Sequence, residues 1–289
     1  MEPGTGLRRL ILGVLAMLAV AAPAVTEARA GGDVRFGYET FVGDFGSDFR
    51  NRLWEAPLSL SVTRPRSRFT ITVPYIGIDR TGNVTLTADG PIILGVGRPG
   101  RPSFQESAAG DGQGGLGDVV LTDELALVMP GKVKRPFLAL VLDLKLPTAD
   151  RKKGLGTGER DYGAGLSYVQ PFGKVVQFLA DATYRVMGDP KGIDFKDRPK
   201  FSAGLAFVVN RATLRALYET MRPALDKVPV FDAAGNSIGV EAIEDRQIAR
   251  ADLTIRSLSG GSTRLGLTKG LNKDSGDLGF IVEFSTGGR

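Results

Sequence analysis

From residue 31 onward, apolar residues recur at every second position in one segment after another. The stretch 135–147 is the clearest: Leu138, Leu140, Leu142, Leu144 and Leu146 alternate with Phe137, Ala139, Val141, Asp143 and Lys145. A helix would scatter those leucines around its circumference, whereas a strand collects them on one face. Residues 174–187 repeat the pattern, with Val176, Phe178, Ala180, Ala182, Tyr184 and Val186 opposite Gln177, Asp181, Thr183 and Arg185, and Leu179 as an apolar intruder. Leu278, Phe280, Val282 and Phe284 do the same near the C-terminus. This period predicts strands near 33–41, 54–64, 67–77, 116–129, 135–147, 161–171, 174–187, 200–209, 212–221, 246–257, 262–270 and 277–284.

The connections carry a second pattern. Segments 42–53, 78–115, 148–160, 188–199 and 222–245 are long. Between them lie short turns at Pro65-Arg66, Gly131 to Lys134, Phe172-Gly173, Asn210-Arg211 and Ser259 to Gly261, and 271–276 is intermediate. Short turns on one side and long loops on the other, with an even strand count, are the layout of an outer-membrane barrel. The fold class predicted is therefore all-β, an antiparallel transmembrane barrel of about 12 strands. A sheet survives in hydrocarbon only if it closes, with an apolar outside and an inside free to be polar. The candidate lumen-lining residues follow from the strand faces opposite the apolar ones: Asp143 and Lys145; Asp181 and Arg185; Arg215 and Glu219; Arg250, Asp252 and Arg256. A soluble sandwich would also alternate, and the loop sorting is what separates the two. Asp123 falls on the apolar face among Val119, Leu121, Leu125 and Leu127, so a β-bulge there or another register is expected. Asn83 to Thr87 also alternates and reads as a small hairpin arm inside the 78–115 loop, with a thirteenth strand as the alternative.

The N-terminus adds a compartment. Arg8 and Arg9 precede a mostly apolar run from Leu10 to Val25, followed by Ala28-Arg29-Ala30. This is the pattern of a signal peptide over 1–30, leaving one barrel domain over 31–289. No later stretch approaches the roughly 20 apolar residues of a membrane-spanning helix. The formal charge of +5 is spread along the chain without a basic stripe, which gives no support to nucleic-acid binding. The chain has no Cys and no His. Disulfides, thiolate metal sites, Ser-His and Cys-His pairs and histidine-ligated zinc are thereby excluded. No catalytic, cofactor-binding or metal-binding residues are assigned, and the chain reads as a non-enzyme.

Several features admit two roles. The in-strand charges suit either selectivity groups of an open pore or an ion-pair network bracing a filled one. The loop 78–115 contains Ile92, Ile93 and Leu94, which favour a segment folded into the mouth over an outward loop. Arg151-Lys152-Lys153 reads as a solvated loop cluster, with lipopolysaccharide phosphates as the alternative partner. Leu155 to Gly158 and Gly110 to Gly117 lack the Gly-Lys-Ser/Thr that opens the helix of a phosphate loop, so they read as flexible turns.

An ordered set of short motifs carries a family resemblance: Gly115-Leu116-Gly117-Asp118, Leu144-Lys145-Leu146-Pro147-Thr148, Leu155-Gly156-Thr157-Gly158, Asp161-Tyr162-Gly163 and Val186-Met187-Gly188-Asp189-Pro190. Over about 115–210 the chain resembles the outer-membrane β-barrel family named as transporters of the meta-pathway of phenol degradation. The resemblance implies a barrel in the cell outer membrane that takes up small hydrophobic or aromatic solutes. Its expected partners are outer-membrane lipid, lipopolysaccharide and the barrel-assembly machinery. That machinery commonly reads a terminal aromatic residue, and here Phe284 is followed by Ser285 to Arg289. Two other functions stay open: a structural or surface-interaction barrel that transports nothing, and a soluble periplasmic carrier of an apolar ligand.

Overall fold

The computed structural model describes residues 31–43, 51–78, 84–87, 90–93, 96–97, 113–129, 135–190, 192–231 and 237–287. The signal segment read in 1–30 and most of the 78–115 loop lie outside the described residues.

Alternation builds a closed ring of strands: β1 (Gly31–Gly43), β2 (Asn51–Thr63), β3 (Ser67–Ile78), β4 (Val119–Val128), β5 (Phe137–Leu146), β6 (Asp161–Phe172), β7 (Val176–Val186), β8 (Arg198–Val209), β9 (Ala212–Met221), β10 (Arg246–Arg256), β11 (Ser262–Gly270) and β12 (Leu278–Ser285). Each pairs antiparallel with its neighbours in sequence. Closure comes from β1 against β12, in a register running from Arg35 opposite Ser285 to Val42 opposite Leu278. No helix among the described residues is long and apolar enough to cross a membrane.

The short turns sit at one end of the barrel and the long loops at the other. Asn210, between β8 and β9, adopts φ 53°, a left-handed conformation that asparagine tolerates and β-branched residues do not. Gly173, between β6 and β7, takes φ 76° for the same reason.

The register sorts the two faces. Outside lie the apolar rows, with Phe172 60% exposed, Phe201 55% and Tyr162 54%. Trp54 is stacked between Tyr38 and Tyr75, with ring centroids 6.2 and 5.8 Å away. Tyr75, Tyr162 and Tyr184 lie toward the long-loop end, whereas Phe69, Phe172, Phe207 and Phe284 lie toward the short-turn end. A continuous apolar wall with an aromatic girdle at each rim is untenable in water and is what a bilayer accommodates.

Asp123 does not turn inward. It pairs in register with Phe69 on one side and Leu142 on the other, both outward, so its carboxyl faces the lipid side. The irregularity in β4 lies further on, between Ala126 and Val128. Phe69 is only the third residue of β3, near the short-turn rim, where a lipid-facing charge costs least. A second offset lies before β4. A short strand, Gln113–Leu116, pairs with Tyr75–Ile78, and β4 itself pairs with the earlier part of β3, one residue out of step. The extra residue is absorbed at Gly117-Asp118, opposite Pro74, whose carbonyl accepts from the Gly117 N–H at 2.9 Å.

Two long loops carry hairpins of their own. Val84–Thr87 pairs with Gly90–Ile93, where the sequence indicated a small arm. Lys227–Phe231 pairs with Ser237–Ala242 in the 222–245 loop, and Val96–Gly97 joins that hairpin in parallel.

Candidate functional site

The inward face of the barrel is an ordered set of ion pairs. Toward the short-turn end they form a ladder over half the circumference. Arg68 on β3 meets Asp33 on β1 at 3.0 Å, and Asp33 meets Arg35 at 3.7 Å. Arg35 meets Glu283 on β12 at 3.3 Å, Glu283 meets Arg264 on β11 at 3.9 Å, and Arg264 meets Asp252 on β10 at 3.2 Å. Arg215 on β9 closes the run on Asp252 at 2.7 Å. Higher up, Glu219 holds Lys200 at 3.1 Å and Arg246 at 3.3 Å, and Arg250 reaches Glu39 at 3.6 Å.

On the other half of the wall a further pair spans an intervening strand, as Arg68–Asp33 spans β2. Asp143 on β5, Gly163 on β6 and Arg185 on β7 lie side by side in register, and Arg185 donates to Asp143 over the glycine. A Cβ at position 163 would stand 2.0 Å from Asp143 Oδ2. The missing side chain is the notch through which the pair meets.

At the long-loop end the charges are buried. Lys145 is fully enclosed, its Nζ 2.9 Å from Asp161 and 3.2 Å from Asp118 and donating to Thr157 Oγ1 at 2.8 Å. The other carboxylate oxygens accept backbone N–H groups: Asp118 Oδ1 from Ala149 at 2.9 Å, Asp161 Oδ1 from Gly188 at 3.1 Å. A Cβ at Gly156 would come within 2.7 Å of Asp118 Oδ2. Thr148 Oγ1 accepts from Val119 N and donates to Gly117 O. Every one of the Gly-rich motifs that looked like a separate turn thus contributes to one polar node. The node pins the β5–β6 loop.

Pinned in this way, that loop places Leu155 inside the barrel mouth. Leu155 packs with the inward-facing Leu53 and Ile76 and with Val228 from the β9–β10 loop, and Phe41 and Ile243 close around them. A second cluster of Met187, Phe195 and Ala224 adjoins it through Leu225. The β9–β10 loop is held from the other side by Asp274, which accepts from the Glu244 N–H at 2.8 Å. Burial pushes the Asp274 carboxyl above its ordinary range, and that hydrogen bond offsets only part of the rise. Against the mouth cluster, through Ile76 and Leu155, lies a cavity of about 330 Å³. It spans the lumen from Glu55 on β2 to Lys200 on β8.

The candidate residues from the sequence all point inward, with different fates. Asp143 and Arg185 line the cavity as a pair. Arg215 and Asp252 pair across strands, Arg250 takes Glu39, and Glu219 takes Lys200 and Arg246. Asp181 accepts from Ser202 Oγ at 2.9 Å, and Arg256 is exposed at the short-turn end. Lys145 touches no open lumen, because the loop covers it. The groupings within a strand are therefore not the pairs that form. Sequence reading did not single out Asp33, Arg35, Glu39, Glu55, Arg68, Lys200, Arg246, Arg264 or Glu283. Strand parity was the signal for them. The β-hairpin that brings Val228 into the mouth had none.

No protein-family model matches the sequence, and no curated protein sequence matches it. Among solved structures, the chain is similar to an outer-membrane channel from Pseudomonas putida F1, at a TM-score of 0.60 and 13% identity over 89% of this chain and 94% of that one. The NanC porin aligns at a TM-score of 0.49 and 9% identity, covering 89% of this chain and 99% of that chain. The TodX monoaromatic hydrocarbon channel, as its deltaS2 mutant, aligns at a TM-score of 0.45 and 13% identity, covering 89% and 90%. The first likeness establishes the fold as that of an outer-membrane β-barrel.

Proposed function

We propose that the protein is a passive outer-membrane channel for small solutes. The supporting observation is the lumen: a closed wall with an apolar exterior, an ionic interior, and a cavity of about 330 Å³ beside a mouth narrowed by folded-in loops. Charged groups on the inner wall suit a polar conduit, and the ladder from Arg68 to Arg215 keeps part of its charge open to solvent, with Arg68 36% exposed and Arg215 29%. The apolar mouth of Phe41, Leu53, Ile76, Leu155 and Val228 favours solutes with an apolar body. The sequence resemblance to transporters of the phenol meta-pathway points the same way.

The test is single-channel recording of the protein purified from outer membranes in detergent and inserted in planar bilayers. Discrete steps that grow with salt concentration are expected. Silence from protein shown to be inserted and folded would sink the channel reading. It would favour a structural barrel, for which the buried Lys145 node and mouth cluster would serve as a plug.

A further inference from the structure

The cavity at the mouth has one charge without a counter-charge. Of its acidic and basic lining groups, Asp118 is held by Lys145, Asp143 and Arg185 hold each other, and Lys200 holds Glu219. Glu55 is different. Among the described residues its carboxyl makes no ion pair and no hydrogen bond, and the residue directly opposite it on β1 is another acid, Glu39. Arg250 lies on Glu39, at 3.6 Å, and leaves Glu55 alone. The uncharged lining of the cavity is Pro74, Ile76, Val120, Val141 and Leu155, with Thr72, Thr122 and Thr183.

A carboxylate on a partly apolar wall beside a second acid is costly unless it takes up a proton or a cation joins it. Among the described residues no basic side chain reaches Glu55, and a cationic solute can. The volume is at the lower end for a small-molecule pocket, where roughly 300 Å³ suffices. We propose that this cavity binds a small organic cation, an ammonium group carried on a compact apolar body. The ammonium sits on Glu55, and the body lies against Pro74, Ile76 and Leu155. An organic anion is disfavoured because Lys200 and Arg185 are already neutralised by their partners. This inference uses the channel reading for its place in transport, but binding itself does not require conduction.

The test is calorimetric titration of the detergent-solubilised protein with benzylammonium chloride, sodium benzoate and benzyl alcohol, three probes of similar shape and different charge. Benzylammonium is expected to bind about tenfold or more tightly than the other two, the scale of one charge-assisted contact. Glu55→Gln should erase that preference, while heat-modifiable mobility in gels shows the barrel still folded. Glu39→Gln, whose partner is Arg250, should weaken benzylammonium by less than about threefold. Equal binding of the three probes, no binding of any of them, or an unchanged benzylammonium affinity in folded Glu55→Gln would each overturn the proposal. A barrel that binds benzylammonium but never conducts keeps the site and loses the channel. One that conducts without this preference does the reverse.

Discussion

The two ends of the lumen use the same chemistry in opposite conditions. At the short-turn end, Arg68 and Arg35 are 36% and 35% exposed and hand charge along a ladder in which most members have two partners. At the long-loop end, a single Lys145 with no exposure serves two carboxylates and a hydroxyl. A solvated ladder is redundant, because water and a second neighbour replace any lost contact. A buried node has no substitute, because removing one member strands the others in a medium that does not solvate them. The difference shows where this barrel keeps adjustable charge and where it keeps structural charge.

The largest test of that contrast is Lys145→Met. It leaves Asp118 and Asp161 buried without their cation, and a loss of about 3–5 kcal/mol is expected in urea unfolding followed by gel mobility. Retained stability would show that the node is not structural. Next comes Gly163→Ala, which fills the notch between Asp143 and Arg185. Overpacking of this kind costs about 1–3 kcal/mol, and the variant should also lose the pair's contribution to ion selectivity, read as a shifted reversal potential. Asp123→Leu tests the outer face. Removing a lipid-facing carboxyl near the rim should raise stability by about 1 kcal/mol, seen as a higher urea midpoint in vesicles. The smallest effect is expected from Arg68→Gln at the exposed end of the ladder. It should change stability by about 0.2–1 kcal/mol while moving the reversal potential measurably. A stability loss there equal to that of Lys145→Met would erase the distinction between the two ends.

The barrel was readable in the sequence because strand parity is a local property: Leu138 to Leu146 announce their face without reference to any neighbour. Partnership is not local. Asp181 and Arg185 share a face, but Arg185 goes to Asp143 two strands away because Gly163 stands between them. Likewise Asp252 serves Arg215 and Arg264 rather than Arg250 beside it on β10. Parity gives the inside of the wall, and only cross-strand register gives the pairs. The Gly-rich motifs lost their meaning for a related reason. Gly156 and Gly188 look like turn residues singly, and their purpose appears only when Asp118, Lys145 and Asp161 are brought between them.

The chain's one tryptophan lies on the opposite face of β2 from its neighbour Glu55. Trp54 lies flat over Gly77, where a Cβ would stand 2.1 Å from its ring, and between two tyrosines on the outer wall. The protein therefore carries a built-in optical reporter of its own insertion. Its emission should move to shorter wavelength as the barrel leaves water for hydrocarbon, so assembly can be timed in vesicles without a label. Brominated lipids would further give the depth of the ring by quenching.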